Sequence, residues 1–281
     1  MSPVIDATGL SYEYPDGTNA IEDVDFTART GERIGILGPN GAGKSTLLML
    51  LGGLLEPSAG HVQYFDGTAD ADGVRDRLAV VLQEPDEYLF NPTIREDLEY
   101  GPAQLDIPAG EAERRVSTIA AELSLARYLD QPPFRLSGGE KRRAALAAGL
   151  TPHPEVVLVD EPFSDVDATH TEAVIERLEG VVASGGTTVV AISDTDLLPR
   201  VADRVYLLDD VGTVVENGPT REVLTDAETL ATCGLRPPRI TRVFQAAGDP
   251  EPPLTIEAGV ERLMAVLESS WPPIAPDCEP K

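Results

Sequence analysis

The sequence predicts an α/β fold: a largely parallel sheet covered on both faces, preceded by antiparallel β-structure and interrupted by a helix-rich segment. Three observations carry this. A short apolar run at 33–37 feeds a glycine-rich turn and then an apolar helix from about Ser45. A second apolar run at 156–159 ends in two adjacent carboxylates, Asp160 and Glu161. Around them strand-like runs alternate with helical ones, the pattern of parallel strands joined by crossover helices.

In chain order, residues 4–27 carry short alternating stretches broken by Pro15-Asp16-Gly17, a turn signal that reads as antiparallel β-structure. Residues 78–82 form another buried strand. The stretch from about 93 to 129 is helix-rich, with 111–125 at helical spacing. A helix over 142–150 precedes the acidic strand. A helix over about 169–184 and strands at 187–192 and 205–208 follow. These elements are expected to form one domain over 1–228, with the helical part at about 84–150. After about Asp226 the composition changes, and residues 249–253 and 271–280 are proline-rich. Between them Ile256, Val260, Leu263, Met264 and Leu267 share one helical face, with Thr255 as N-cap. Residues 229–281 are therefore expected to be a small appendage, its apolar stripe either packed on the main domain or used in dimer contacts, packing being the simpler case. No internal repeat is present.

Composition narrows the function classes. The chain has 281 residues, 42% hydrophobic and 25% charged, the profile of an ordinary globular protein. The longest apolar run, 46–55, is too short for the roughly 20 residues of a membrane span, and no secretory pattern opens the chain. The expectation is a cytoplasmic protein without direct membrane insertion. The formal charge of -26 disfavours nucleic acid and anionic lipid as partners. Only Lys44, Lys141 and Lys281 are lysines. Abundant carboxylates with so little lysine fit a halophile, because at molar salt the Debye length is about 3 Å and self-repulsion is screened. A merely acidic mesophilic protein is the alternative. Cys233 and Cys278 lie far apart, with no metal-ligand or disulfide spacing, and read as free thiols.

The run Gly38-Pro39-Asn40-Gly41-Ala42-Gly43-Lys44-Ser45-Thr46 has the spacing G-x-x-x-x-G-K-[ST] between a strand and a helix. Glycines let backbone N–H groups wrap phosphates, and the helix N-terminus adds its positive dipole end. Lys44 then reaches the β- and γ-phosphates and Ser45 ligates Mg²⁺. Alone, the acidic end of the 156–159 strand would read as a solvated terminus. Beside a phosphate loop it fits metal support by Asp160 and activation of the attacking water by Glu161. Leu136-Ser137-Gly138-Gly139-Glu140-Lys141 puts serine and glycines before a helix, where N–H groups face an anion.

With that last string the chain resembles the ABC ATPases over about residues 4–225. The resemblance implies a P-loop ABC cassette with an N-terminal antiparallel β-subdomain and a helical subdomain. It implies ATP and Mg²⁺ as cofactors. It matches Gln83, after the 79–82 strand, to the residue that senses the γ-phosphate and Mg²⁺ and signals to a transmembrane partner. Tyr14 falls where the family stacks an aromatic on adenine, the alternative being a core strand tyrosine. Ser164-Asp165-Val166-Asp167 matches the D-loop, with Asp167 its acidic end. Two ATPase subunits close head-to-tail in this family, so Ser137, Gly138 and Gly139 would serve the partner's nucleotide. The segment from Gln83 to Thr93 with Glu96-Asp97, the stretch Leu136 to Arg143, and Gly234-Leu235-Arg236-Pro237-Pro238 with the helix starting near Thr255 resemble the energy-coupling-factor group, ATPases of metal and vitamin importers. The membrane partner would hold the chain at the inner face of the cell membrane, through a groove near residues 83–100.

One position departs from the family. Its γ-phosphate histidine falls at Ser193, after the 187–192 strand; the chain's three histidines, His61, His153 and His170, lie elsewhere. Serine cannot supply the same contact. Either the site is slow or inactive and the chain is an ATP-gated subunit beside a second ATPase, or Ser193 is tolerated and Glu161 turns over. Soluble, non-transport ABC ATPases are the rival class. They usually carry two cassettes or long coiled-coil insertions, whereas here only 53 positions separate Gln83 from Leu136.

Overall fold

The computed structural model describes residues 2–67 and 73–270. Strands β1 (Pro3–Glu13) and β2 (Asn19–Arg29) pair antiparallel about the turn at 14–18, where Tyr14 and Thr18 are hydrogen-bonded through their backbones. Strand β3 (Arg33–Leu37) opens the main sheet and runs into α1 (Lys44–Leu51). The chain then returns to the first sheet as β4 (Ala59–Tyr64), which pairs with the free edge of β1. The sequence reading missed β4 because it is a polar edge strand whose burial does not alternate.

The main sheet has the order β5-β6-β7-β3-β8-β9, from β5 (Leu78–Val81), β6 (Val156–Asp160), β7 (Thr187–Ile192), β8 (Arg204–Leu208) and β9 (Val214–Pro219). All neighbours are parallel except β8 and β9. Strand β9, half-exposed and ending in Gly218-Pro219, also escaped the sequence reading. Alternation along the central strands divides the core. Ile34, Ile36, Leu158 and Val189 face the first sheet and α1, whereas Leu37, Val157, Val159 and Val190 face the helices of the other side.

Between β5 and β6 lie α2 (Ile94–Gln104), α3 (Ala109–Glu122) and α4 (Gly138–Leu150). Here the structure corrects the sequence reading. The helix expected over 142–150 begins at Gly138, so the Ser137–Lys141 segment is its first turn rather than a lead-in. Ser137 is the N-cap and makes a reciprocal capping box with Glu140, an S-x-x-E spacing that was open to view.

Helix α5 (Ala168–Ala183) joins β6 to β7, and α6 (Leu198–Val201) precedes β8. After β9 come α7 (Thr220–Thr225), α8 (Ala227–Thr232), α9 (Arg239–Ala246) and α10 (Ile256–Ser270). The boundary expected at 228/229 falls inside α8, whose Leu230 is buried in the core of the main sheet, as is Cys233 just after it. Thr255 caps α10 through the Ala258 N–H. Among the described residues nothing covers the stripe on α10: Ile256, Val260, Leu263, Met264 and Leu267 are each about half exposed, at 48–62%. The helix rests instead on Gly259, against which Ile240 and Phe244 pack so closely that an added Cβ would lie 2.5 Å from Ile240. Cys278 and the proline-rich 271–280 segment lie outside the described residues. Among the described residues no helix is long and apolar enough to cross a membrane.

Candidate active site

The carboxyl ends of β5, β6, β7 and β3 stand side by side, and each carries one of the expected groups. Such a row is where open parallel sheets bind ligands. The parallel registers pair Val81 with Val159, Asp160 with Ala191, and Leu37 with Ile192. Gln83, Asp160, Glu161, Ser193 and the 38–45 loop therefore converge. A cavity of about 590 Å³ opens there, lined among others by Tyr14, Asn40, Lys44, Ser45, Gln83 and Glu161.

The loop is built around glycines that no other residue could replace without strain. Gly43 has φ 81°, and a Cβ on it would lie 2.2 Å from the Ala20 carbonyl oxygen. Gly41 has φ 87°. Lys44 is buried, and its Nζ donates to the Gly38 and Pro39 carbonyls at 2.9 and 3.0 Å. Burial pushes its pKa down, against the pull of Glu161 and Asp160. Gly38 and Pro39 thus act through their carbonyls. Ala42 is buried and closes the turn, its N–H donating to Pro39. Asn40, Gly41, Gly43, Lys44, Ser45 and Thr46 line the cavity.

Ser45 Oγ donates to Asp160 Oδ2 at 2.5 Å. The other oxygen of this buried carboxylate, Oδ1, has no hydrogen-bond partner among the described residues. Burial raises the Asp160 pKa, opposed by the Ser45 bond and the charges of Lys44 and Arg142. Glu161 follows with a left-handed φ of 44°. Its carboxylate stands 3.9 Å from Lys44 Nζ and accepts a 2.5 Å hydrogen bond from Ser193 Oγ. Burial raises its pKa as well, opposed first by Ser193 and then by Lys44. Ser193, which the resemblance sets in the histidine position, thus bonds the carboxylate directly, a contact no sequence pattern announced. A chain that brings together a buried cation, a wrapping loop, a buried carboxylate and a part-buried one can bind a polyphosphate and move a proton from water.

Tyr14 is half-buried just past the end of β1, at the rim of the cavity, and its hydroxyl pairs with Thr46 Oγ1 at 3.0 Å. It is not a core strand residue. Thr18, Asn19 and Ala20, which the sequence reading did not single out, line the same rim. Ser137, Gly138, Gly139 and Asp167 do not reach this cavity. Ser137 and Gly138 are exposed at the start of α4. Ser137 Oγ accepts from the Glu140 N–H, and the Ser137 N–H donates to the Glu140 carboxylate. Asp167 caps α5 and pairs with His170 at 2.6 Å.

Comparison with known proteins shows the family and the fold. The ABC transporter family profile matches residues 21–164. The chain is 42% identical over 246 residues to the cobalt import ATP-binding protein CbiO of Rhodobacter capsulatus, covering 85% of this chain and 87% of that one. It is 37% identical over 261 residues to the energy-coupling factor transporter ATP-binding protein EcfA of Methanococcus maripaludis, covering 91% and 93%. Among solved structures, CbiO1 of Clostridium perfringens, part of the ABC transporter complex cbiONQ, superposes with a TM-score of 0.70 at 29% identity, over 88% of this chain and all of that one. A dimeric ATP-binding cassette in a post-hydrolysis state with ADP and Pi matches with a TM-score of 0.69 at 26% identity, over 77% and 99%.

Proposed function

The chain belongs to the ABC transporter family as an ATP-binding ATPase subunit, and from that premise we propose that it powers an energy-coupling-factor importer of a metal ion or vitamin. The convergence of Lys44, Ser45, Gln83, Asp160 and Glu161 on one cavity carries the catalytic half of this reading. The relatives that import cobalt or serve energy-coupling factors support the transport half. The partners in this reading are a transmembrane subunit, met near residues 83–100, and a second ATPase subunit whose nucleotide faces Ser137, Gly138 and Gly139. Localisation at the inner membrane face follows from the first partner.

In the catalytic cycle proposed here, the N–H groups of the 41–46 turn and the Lys44 ammonium hold the β- and γ-phosphates. Tyr14 packs on the base. Glu161 orients the attacking water and takes its proton. Mg²⁺ is a good fit to the donors present: a serine hydroxyl, an amide oxygen from Gln83 and a buried carboxylate with one unbonded oxygen suit a hard cation. Bound by Ser45, Gln83 and Asp160, it would neutralise phosphate charge.

The Ser193–Glu161 hydrogen bond supports a competent site over an ATP-gated subunit, since it orients the carboxylate that activates water in this reading, although it does not replace the γ-phosphate contact of a histidine. Steady-state ATP hydrolysis by the purified chain at high salt tests this, with Glu161→Gln as the blank. Loss of at least about a hundredfold in the blank is expected. ATP binding without turnover in the parent chain would sink the competent reading and point to a partner ATPase.

A further inference from the structure

Three consecutive cations follow the first three residues of α4, and in a chain with 22 basic against 48 acidic residues their use is informative. Successive helix positions diverge by about 100°, so Lys141, Arg142 and Arg143 point to different parts of the fold. Lys141 Nζ pairs with Asp86 at 2.6 Å, in the turn just after Gln83. Arg143 is buried and donates to the Leu123 and Ser124 carbonyls at the end of α3. Arg142, only 12% exposed, turns toward β6. Its Nη1 donates to the Glu161 backbone carbonyl at 3.1 Å, and its Nη2 stands 3.9 Å from Asp165.

The contact matters because of what Glu161 is. Its backbone sits at a φ that L-residues rarely adopt, so its carboxylate direction depends on what pins the peptide. Its N–H donates to Ala191, extending the β6–β7 pairing, and its carboxylate takes the Ser193 bond. Its carbonyl accepts from the Ser164 N–H at 3.2 Å and from Arg142. Arg142 is the one of these tethers that comes from α4. The same helix start also packs on the loop after Glu161: a Cβ on Gly139 would lie 2.5 Å from the Asp165 carbonyl oxygen.

We propose that Arg142 is a positioning residue for Glu161: it fixes the peptide that aims the hydrolytic carboxylate, from a helix that Lys141 holds against the segment after Gln83. The proposal rests on the reading of Glu161 as the group that activates water. A displacement of the helical segment would then be felt at that carboxylate through one guanidinium.

The test compares Arg142→Ala and Arg142→Lys with the parent and with Glu161→Gln, measuring kcat, Mg·ATP affinity by direct binding titration, and Tm. Arg142→Ala should lose between about ten- and a hundredfold in kcat, the scale of a small misalignment of a catalytic group, with ATP affinity within about twofold of the parent. Arg142→Lys can still donate one hydrogen bond to the carbonyl and should recover part of the rate. A kcat for Arg142→Ala within about twofold of the parent would overturn the proposal, as would parallel losses in affinity and rate. If the alanine variant does not fold, the lysine variant decides: an unchanged kcat rejects the role, and a reduced kcat at unchanged affinity supports it. A Glu161→Gln chain that turns over like the parent would instead reject the reading of Glu161.

Discussion

Glu161 and Ser193 form a part-buried acceptor–donor pair just past the ends of β6 and β7, where the orientation of one carboxylate hangs on single atoms. A hydrogen bond to a charged group contributes roughly 1.5–3 kcal/mol. Replacing Ser193 by alanine should therefore lower kcat by about ten- to a hundredfold while leaving ATP affinity unchanged; equal rates for the two chains would mean that the hydroxyl does not orient the carboxylate. Gly43 offers a structural counterpart. Its positive φ and the Ala20 carbonyl 2.2 Å from any added Cβ leave no strain-free route to a side chain. Gly43→Ala should cost on the order of 1–3 kcal/mol in urea denaturation, and a loss below a few tenths would show that the loop relaxes freely. At this scale the sequence singled out polar residues that the structure gathers around one cavity, because a glycine-rich strand-to-helix turn and an acidic strand end fix residue type and spacing together. It could not reveal the Ser193–Glu161 bond or the Arg142–Glu161 bond, since both join residues brought together by tertiary packing.

Among the elements, α3 carries a clear electrostatic staple. Glu111 in its first turn accepts from Arg114 and Arg115, and Arg115 also donates to the Pro152 carbonyl. The hydrogen bonds from Arg114, then Arg115, pull the Glu111 carboxyl down from 4.5 to about 2. A carboxylate whose folded pKa is depressed stabilises the fold above its unfolded pKa and loses that contribution as pH falls through the folded value. The Tm gap between the parent and Glu111→Gln should thus be widest near neutrality and close between about pH 4.5 and 2. A gap constant across that range would remove Glu111 from the balance. Strongly patterned elements such as β3, β6 and β7 were legible because their apolar runs are bounded by sharp punctuation. The polar edges β4 and β9 were not, since an edge strand with one exposed face needs little apolar periodicity. The start of α4 was misread because its glycines, poor helix formers in isolation, are held in the helix by the Ser137–Glu140 capping box and by contact with Asp165.

At the scale of the whole molecule, charge dominates. A net -26 on 281 residues means that the folded state concentrates like charge which the unfolded chain spreads out. The ion pairs present do not cancel it, because most involve exposed carboxylates and each such pair contributes little. Salt acts on the two in opposite senses. It screens repulsion among the surplus acids, which favours folding, and it weakens the exposed pairs, which disfavours it. With 48 acidic against 22 basic residues, repulsive contacts outnumber attractive ones, so the first effect wins. We expect Tm to rise steadily from about 0.1 to 1 M KCl, as the Debye length shrinks from about 10 to 3 Å. Beyond that screening is nearly complete, and a further rise at 2–3 M would require hydration of the carboxylate surface, the adaptation expected of a halophile. Thermal melts across that series separate the alternatives: a plateau above 1 M fits an acidic mesophilic protein, continued gain fits the halophile, and a falling Tm from the outset would mean that the ion pairs, not the repulsion, govern stability.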